Sequence, residues 1–293
     1  MRFGVALPHY TEQASSALIS DVALAAEQLG FDSVWVSDHI VYPDTPELAS
    51  SNTIFEPLAV LSYLAGITRR VRLGTSVLVA PHRHPIVAAK TMATIDVLSG
   101  GRLLPCFGTG GIQGEFEALG LPWRERGAMT DECIQAMREL WTRQPATFHG
   151  RYFNFDRMKC SPKPVQQPMP VWIGGNTKRA IRRVVELGDG WHPIRRSPEA
   201  LGPLLAHMRT LCAQRGRAVM PEVSIRMAMR VFDGAVAGER RPLYGTIDQV
   251  VGDLERYREV GVGHVILDLL ADPPRIVEAM MRFAQDVRPR LAE

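Results

Sequence analysis

Cysteine is scarce here: there are four in 293 residues, Cys106, Cys133, Cys160 and Cys212, far apart in the chain. None belongs to a CxxC and none has a histidine at zinc-ligand spacing, which excludes a disulfide scaffold and a structural metal centre. No apolar run approaches the length of a membrane span. The N-terminus runs directly into a short strand, without the apolar core and cleavage site of a signal peptide. The expected compartment is the cytoplasm, away from the membrane. Charge of one sign is also lacking: the net charge is +3, too small to argue for nucleic acid. The arginine pairs Arg69–Arg70, Arg182–Arg183 and Arg240–Arg241 read as solvated faces. There is no serine-nucleophile motif, no P-loop and no metal-ligand cluster. With little acid–base apparatus beyond His39 and Glu12, the chain is expected to borrow a cofactor.

What is present centres on Pro170–Ala180, PVWIGGNTKRA. Val171, Trp172 and Ile173 read as a short buried strand. Gly174 and Gly175 follow, then Asn176 and Thr177, and from Arg179 the apolar spacing turns helical until Gly188. A strand that stops at two glycines and opens a helix leaves N–H groups and a helix dipole aimed at one spot, which suits a phosphate. An ordinary strand–turn–helix joint has the same spelling.

Along the chain, strands are expected at Phe3–Leu7, Val34–Val36, Val71–Val79, Arg102–Phe107, Val171–Ile173, Gly190–Ile194, Val223–Phe232 and Val262–Leu270, each followed by a helix. A polar, proline-rich loop runs to Asn52. Between the fourth βα unit and Pro170, the aromatics Phe148, Tyr152, Phe153 and Phe155 around Gly150 read as a hairpin insertion. Eight βα units give an α/β fold, a (β/α)8 TIM barrel forming one domain over residues 1–293. The doubly wound rival would want a Gly-rich turn after the first strand, where Pro8-His9-Tyr10 stands.

In a barrel, function collects where strands end. Asp38-His39 closes the second strand, and a histidine there can exchange a proton with a reactant near working pH. It can equally only fix the loop that follows. Gly74, Thr75 and Ser76 are small for a core strand, so either something lies close against this backbone or a bulge shapes the barrel. Gly108–Gly111 is a second small strand exit. Arg226 and Arg230 share one face of the seventh strand; a salt bridge with Glu56 or Asp268 and contact with an acidic substrate both account for them.

These residues resemble the bacterial-luciferase-like (β/α)8 oxidoreductases, most closely the branch using the deazaflavin coenzyme F-420. The resemblance is carried by GFDSVWVSDH (30–39), RLGTSVLVAPHRHP (72–85), IDVLSGG (95–101), GTGG (108–111) with Glu115 beyond, and PVWIGGNTKRA with GDGWHP after it. It implies hydride transfer between F-420 and a small organic substrate, with FMN-dependent monooxygenation and a non-catalytic flavin-binding barrel as alternatives. It implies a cofactor phosphate on Gly174, Gly175, Asn176 and Thr177, and a non-prolyl cis peptide at Ser76–Val77 beneath the ring. Asp38, Thr109, Gly110 and Trp191 join the expected cofactor contacts, and His39 and Glu12 are the expected catalytic pair. The sugar-phosphate dehydrogenases of this branch carry a tryptophan and a glutamate near the places of Pro43 and Gly111, so glucose 6-phosphate is not the expected substrate. The coenzyme's glutamate tail is expected to pass between Lys178–Arg179 and Arg195–Arg196. A homodimer, and a separate reductase supplying reduced cofactor, complete the expectation.

Overall fold

The computed structural model describes residues 1–10, 12–44, 53–234, 238, 240–269 and 275–291. The expected loop to Asn52 and the end of the expected last strand at Leu270 lie partly outside them. The strands are β1 (Arg2–Ala6), β2 (Ser33–Val36), β3 (Arg72–Thr75), β4 (Leu78–Val79), β5 (Leu103–Leu104), β6 (Cys106–Gly108), β7 (Ala146–His149), β8 (Asn154–Met158), β9 (Trp172–Gly174), β10 (Gly190–His192), β11 (Glu222–Ala228), β12 (Arg230–Val231), β13 (Tyr244–Gly245) and β14 (His264–Asp268). The α-helices are α1 (Ser16–Gln28), α2 (Pro57–Ile67), α3 (Pro85–Ser99), α4 (Gln113–Ala118), α5 (Arg126–Thr142), α6 (Lys178–Leu187), α7 (Pro198–Gln214), α8 (Ile247–Glu259) and α9 (Ile276–Arg282).

The main sheet runs in the order β4-β6-β9-β10-β11-β14-β1-β2-β3-β5, and its pairings are parallel. Three expected strands are each broken in two. One of them, Val223–Phe232, breaks at Met229 into β11 and β12, of which β12 lies outside the main sheet. Arg72–Val79 breaks at Ser76–Val77, whose peptide bond is cis. Leu103–Gly108 breaks at Pro105, which has no N–H to give a ladder. The halves of these two stretches stand at opposite ends of the order: Leu73 pairs with Leu103 at one end and Leu78 with Phe107 at the other. The sheet therefore curls round on itself, unlike a doubly wound sheet. Between α5 and β9, β7 and β8 pair antiparallel, with Phe148 opposite Phe155. Between β12 and α8, where no strand was expected, β13 pairs in parallel with β12.

Residue alternation along the strands sends one set outward, under the helices, and the other inward. The inner set is small: Ala6, Trp35, Leu104, Cys106, Trp172 and Ile266. Trp35 is fully buried, and burial of such a side chain contributes about 1.5–3 kcal/mol. It fits because Gly74 stands across from it: a Cβ there would come within 2.5 Å of the indole. Helix starts are set by side-chain caps. Thr177 Oγ1 accepts from Ala180 N–H at the start of α6, and Ser197 Oγ caps α7 from Ala200 N–H.

Candidate active site

A cavity of about 490 Å³ opens over this inner cluster, where β1, β2, β4, β6, β9, β10, β11 and β14 end. Its floor is a closed polar network. Arg226 donates from Nη2 to Asp268 (2.9 Å) and to the Tyr10 hydroxyl (2.8 Å), and from Nη1 to Ser37 Oγ (2.7 Å). Burial alone would lower the Arg226 pKa, but Asp268 and Tyr10 outweigh it and hold it above its usual value. Burial pushes the Tyr10 phenol up, against the pull of Arg226. Arg226 makes the expected salt bridge with Asp268, and its side chain also lines the cavity. Next to it, the His192 ring lies between Ser76 Oγ (2.8 Å) and Ser224 Oγ (2.6 Å), stacked on Trp35 with centroids 5.0 Å apart. Burial pushes the His192 pKa down to about 3, and Arg226 adds to the shift.

Val77 rises from this floor between two strand ends. A Cβ at Gly108 or at Gly174 would run into a Val77 methyl. The bulge by itself therefore requires glycine at both positions. Gly175 has φ +127°, a conformation natural to glycine. Gly110 (φ +75°) lies against Phe116 and Val79. Asp38 is buried, and its carboxylate accepts from Val79 N–H (2.8 Å) and from both terminal nitrogens of Arg83 (2.7 and 2.9 Å). It ties the far side of the bulge to the second strand's exit.

The wall is different. His39 is partly exposed, with Nδ1 3.2 Å from Glu115 Oε2. Glu115 Oε1 accepts from Ile40 N–H at 2.6 Å. Burial would raise the Glu115 pKa, but the bonds from His39 and Ile40 prevail and hold it below the usual carboxylate value. An ionised carboxylate can only accept, so the proton on neutral His39 belongs on Nδ1 and Nε2 carries the lone pair. No partner for Nε2 is found among the described residues. The Tyr42 ring packs on His39 with centroids 4.6 Å apart, and burial, with Glu115 nearby, pushes its phenol up to about 12. On the far side of Glu115 lies His82, 3.8 Å away and buried, its nitrogens without hydrogen-bond partners among the described residues.

At the other end of the cavity stands the expected cradle. The side chain of Asn176 is engaged with the next strand's exit: Nδ2 donates to Ile194 O (3.0 Å) and Oδ1 accepts from Ile194 N–H (3.1 Å). Thr177 caps α6, which leaves the first-turn N–H groups of Lys178 and Arg179 without intrahelical acceptors. These are the groups that could hold a phosphate.

Asp38, His39, Ser76, Val77, Thr109, Gly110, Gly174, Gly175 and Asn176 all line the cavity. Thr177 lies just beyond, in an adjoining cleft. Two expected residues are placed elsewhere. Trp191 points away, buried in the outer layer, its Nε1 donating to Gly175 O (2.9 Å); on this three-residue strand the inward side chain is His192. Glu12 is exposed on the turn after Tyr10 and does not line the cavity; the carboxylate beside His39 is Glu115. The two pairs expected to flank the coenzyme's tail are placed apart. Arg195 lines the cavity and Arg196 lines neither the cavity nor the cleft, so they do not face Lys178 and Arg179 across a channel. Sequence reasoning passed over Glu115 as a partner because a contact 76 residues away leaves no local signature. The signal for His192 was strand parity, overridden by the attraction of a flat indole.

No group of three or more histidine, cysteine or acidic side chains that could hold a metal occurs among the described residues. Nor is any described helix long and apolar enough to cross a membrane.

The profile of the luciferase-like monooxygenase family matches residues 1–268. An F-420-dependent glucose-6-phosphate dehydrogenase of Nakamurella multipartita is 34% identical over 229 residues, 76% of this chain and 66% of that one. Among solved structures, an F-420-dependent secondary alcohol dehydrogenase in complex with an F-420–acetone adduct superposes with a TM-score of 0.84 at 20% identity, over 100% of this chain and 99% of that one. The monooxygenase RslO1 from Streptomyces bottropensis does so with a TM-score of 0.83 at 24% identity, over 99% of each chain. At these identities the two structures speak for the fold, and the sequence match speaks for descent. The chain belongs to the luciferase-like monooxygenase family and is an oxidoreductase.

Proposed function

We propose that the chain moves a hydride between the deazaflavin coenzyme F-420 and a small organic substrate, in a closed (β/α)8 barrel with a hairpin inserted after the fourth βα unit. The observation that carries this reading is the arrangement of one cavity: a phosphate cradle at one end, a Val77 bulge in its floor, and a histidine with one bare nitrogen at the other end. The residues fit such a group. A flat ring would lie on Val77, with Thr109 and the glycine exit at Gly108–Gly111 leaving clearance. The phosphate would sit at the start of α6, on the free N–H groups of Lys178 and Arg179. When bound, the deazaflavin supplies a hydride donor or acceptor at its central ring carbon.

The chain's own part is proton handling and orientation. Nε2 of His39 takes the proton from a substrate hydroxyl in the oxidising direction, or returns it in the reducing one. Glu115 keeps Nδ1 protonated and stabilises the ring when it becomes charged. The F-420 reading draws support from the dehydrogenase relative. Pro43 and Gly111 occupy the neighbourhood where those enzymes carry a tryptophan and a glutamate, which argues for a substrate other than glucose 6-phosphate. The monooxygenase reading, with reduced FMN from a separate reductase, draws support from the family profile and from the likeness to RslO1.

Anaerobic titration with F-420 and with FMN, followed by absorbance, decides between them. F-420 is expected to bind, and to be reduced or oxidised by substrate without oxygen. Tighter binding of FMN, with oxygen consumed when reduced FMN is supplied, would replace the deazaflavin reading by the monooxygenase one.

A further inference from the structure

Behind Glu115 stands a titratable group that the proton chemistry above does not use. His82 ends the turn Ala80–His82 between β4 and α3, and its side chain is fully buried. Its ring packs edge-on against Phe116, the neighbour of Glu115 on α4, with centroids 4.9 Å apart. Glu115 and Asp38 favour a charge on the ring, Arg83 and His39 oppose one, and burial prevails, pushing the pKa below its usual value. A neutral imidazole carries one N–H, yet neither nitrogen of His82 has a hydrogen-bond partner among the described residues. A buried donor left without an acceptor is destabilising. Nδ1 stands 3.8 Å from Glu115 Oε1, too far for a hydrogen bond and near enough that a small ring rotation makes one. Oε1 accepts from Ile40 N–H and, as a carboxylate oxygen, has room for a second donor. Catalytic hydrogen bonds are often long before reactants bind and tighten in the complex.

We propose that His82 is a positioning residue for His39: its Nδ1–H closes onto Glu115 Oε1 and, with Ile40 N–H, fixes the carboxylate so that Oε2 stays aimed at His39 Nδ1. The proposal rests on the reading of His39 as the residue that handles the proton, whichever cofactor is bound. His82 does not line the cavity, so it acts only through Glu115. One donor on Oε1 leaves the carboxylate free to turn about that bond, whereas two on the same oxygen set its plane. A turning carboxylate lets go of His39 Nδ1. The ring then spends part of its time with the proton on Nε2, the nitrogen that must be bare to take one from a substrate.

The experiment is NMR of the full chain without added cofactor, labelled with nitrogen-15 in histidine and carbon-13 in the glutamate carboxyl. Wild type is compared with His82→Leu and His82→Asn. Leucine fills the space and brings no donor; asparagine fills it less well but sets an amide N–H where Nδ1 stands. In wild type, His82 and neutral His39 should both carry their proton on Nδ1. In His82→Leu, the Nδ1–H form of neutral His39 should fall by roughly twofold or more. The Glu115 titration midpoint should rise towards that of an ordinary carboxylate, because the ionised form has lost a donor. His82→Asn should restore both signals. A thermal melt confirms that each variant is folded, and His82→Phe is a second donor-free variant should His82→Leu fail to fold. A packing role alone gives the opposite order, with leucine close to wild type and asparagine the more disturbed. That order, or a wild-type His82 protonated on Nε2, would overturn the proposal. Undiminished turnover in His39→Ala, read separately, would instead remove the proton-handling reading on which it rests, and would leave the His82–Glu115 bond as the spectra show it.

Discussion

On the floor of the cavity, Arg226 places its donors on Asp268, Tyr10 and Ser37, and His192 is held from both sides by Ser76 and Ser224. On the wall, His39 has one nitrogen on Glu115 and the other bare. Both regions are polar and lie at strand ends, and both contain a histidine. They differ in what remains unsatisfied. A buried network whose groups have found each other is rigid and has nothing left for a reactant. A histidine with one nitrogen anchored and one open is oriented and still reactive. Titratable residues at a barrel mouth therefore do not all read as catalytic. Burial lowers the pKa of His192 on the floor and of His82 behind Glu115, while the case for His39 rests on its geometry.

The largest effect should come from the wall. His39→Ala should retain the cofactor, held by the cradle at the other end, and lose turnover by about 10²–10⁴-fold, the usual worth of a general acid or base. Glu115→Gln should act in the same direction and more weakly, because Gln can still accept from Ile40 N–H but brings no charge to His39. Steady-state rates alongside cofactor titrations check this. A wild-type rate in His39→Ala would reduce that residue to fixing its loop, and the contrast between wall and floor would lose its functional meaning.

The floor should respond in stability. The Arg226 and Asp268 side chains are only 11% and 12% exposed. Removing one partner of a pair this buried strands the other's charge, and Arg226→Met should cost about 3–5 kcal/mol in urea unfolding. Replacing both, Arg226→Met/Asp268→Leu, should recover much of that loss, since no lone charge remains. A loss under about 1 kcal/mol in the single variant would mean that the pair is solvated like a surface bridge.

How much of this was legible in the sequence follows from the physics of each part. The βα alternation was readable because burial under helices imposes apolar runs on strands and a stripe on each helix. The bulge was readable as Gly74-Thr75-Ser76, too small for a packed strand. The cis bond in the bulge at Ser76–Val77 was expected from the resemblance, whereas the breaks at Pro105 and Met229 were missed, because apolar residues stand on either side of each. Trp191 and His192 were exchanged by one step of parity, which a three-residue strand is too short to fix. Glu115 and its two histidines are brought together only by tertiary folding. Glu12 drew attention through resemblance, yet in this chain it stands exposed on its turn.

Per side chain, the smallest effect is what the buried histidines do with pH. Burial lowers the pKa of His9, His192 and His264 in the folded protein, that of His192 to about 3. Unfolded, each would titrate near about 6.5. Below that value the unfolded chain binds protons that the folded chain refuses. The stability from these neutral rings is therefore fully present above pH ~6.5 and is lost as pH falls towards the folded values, at up to about 1.4 kcal/mol per pH unit per ring. Carboxylates add their own loss only at lower pH, near about 4. Urea unfolding between pH 7 and 5 should thus show a falling midpoint assigned to histidines alone. His192→Gln should start less stable at pH 7, having lost a two-sided hydrogen-bonded ring, and should fall less steeply. If wild type and His192→Gln fall with the same slope, His192 takes up its proton without disturbing the floor, and the floor is less closed than its hydrogen bonds indicate.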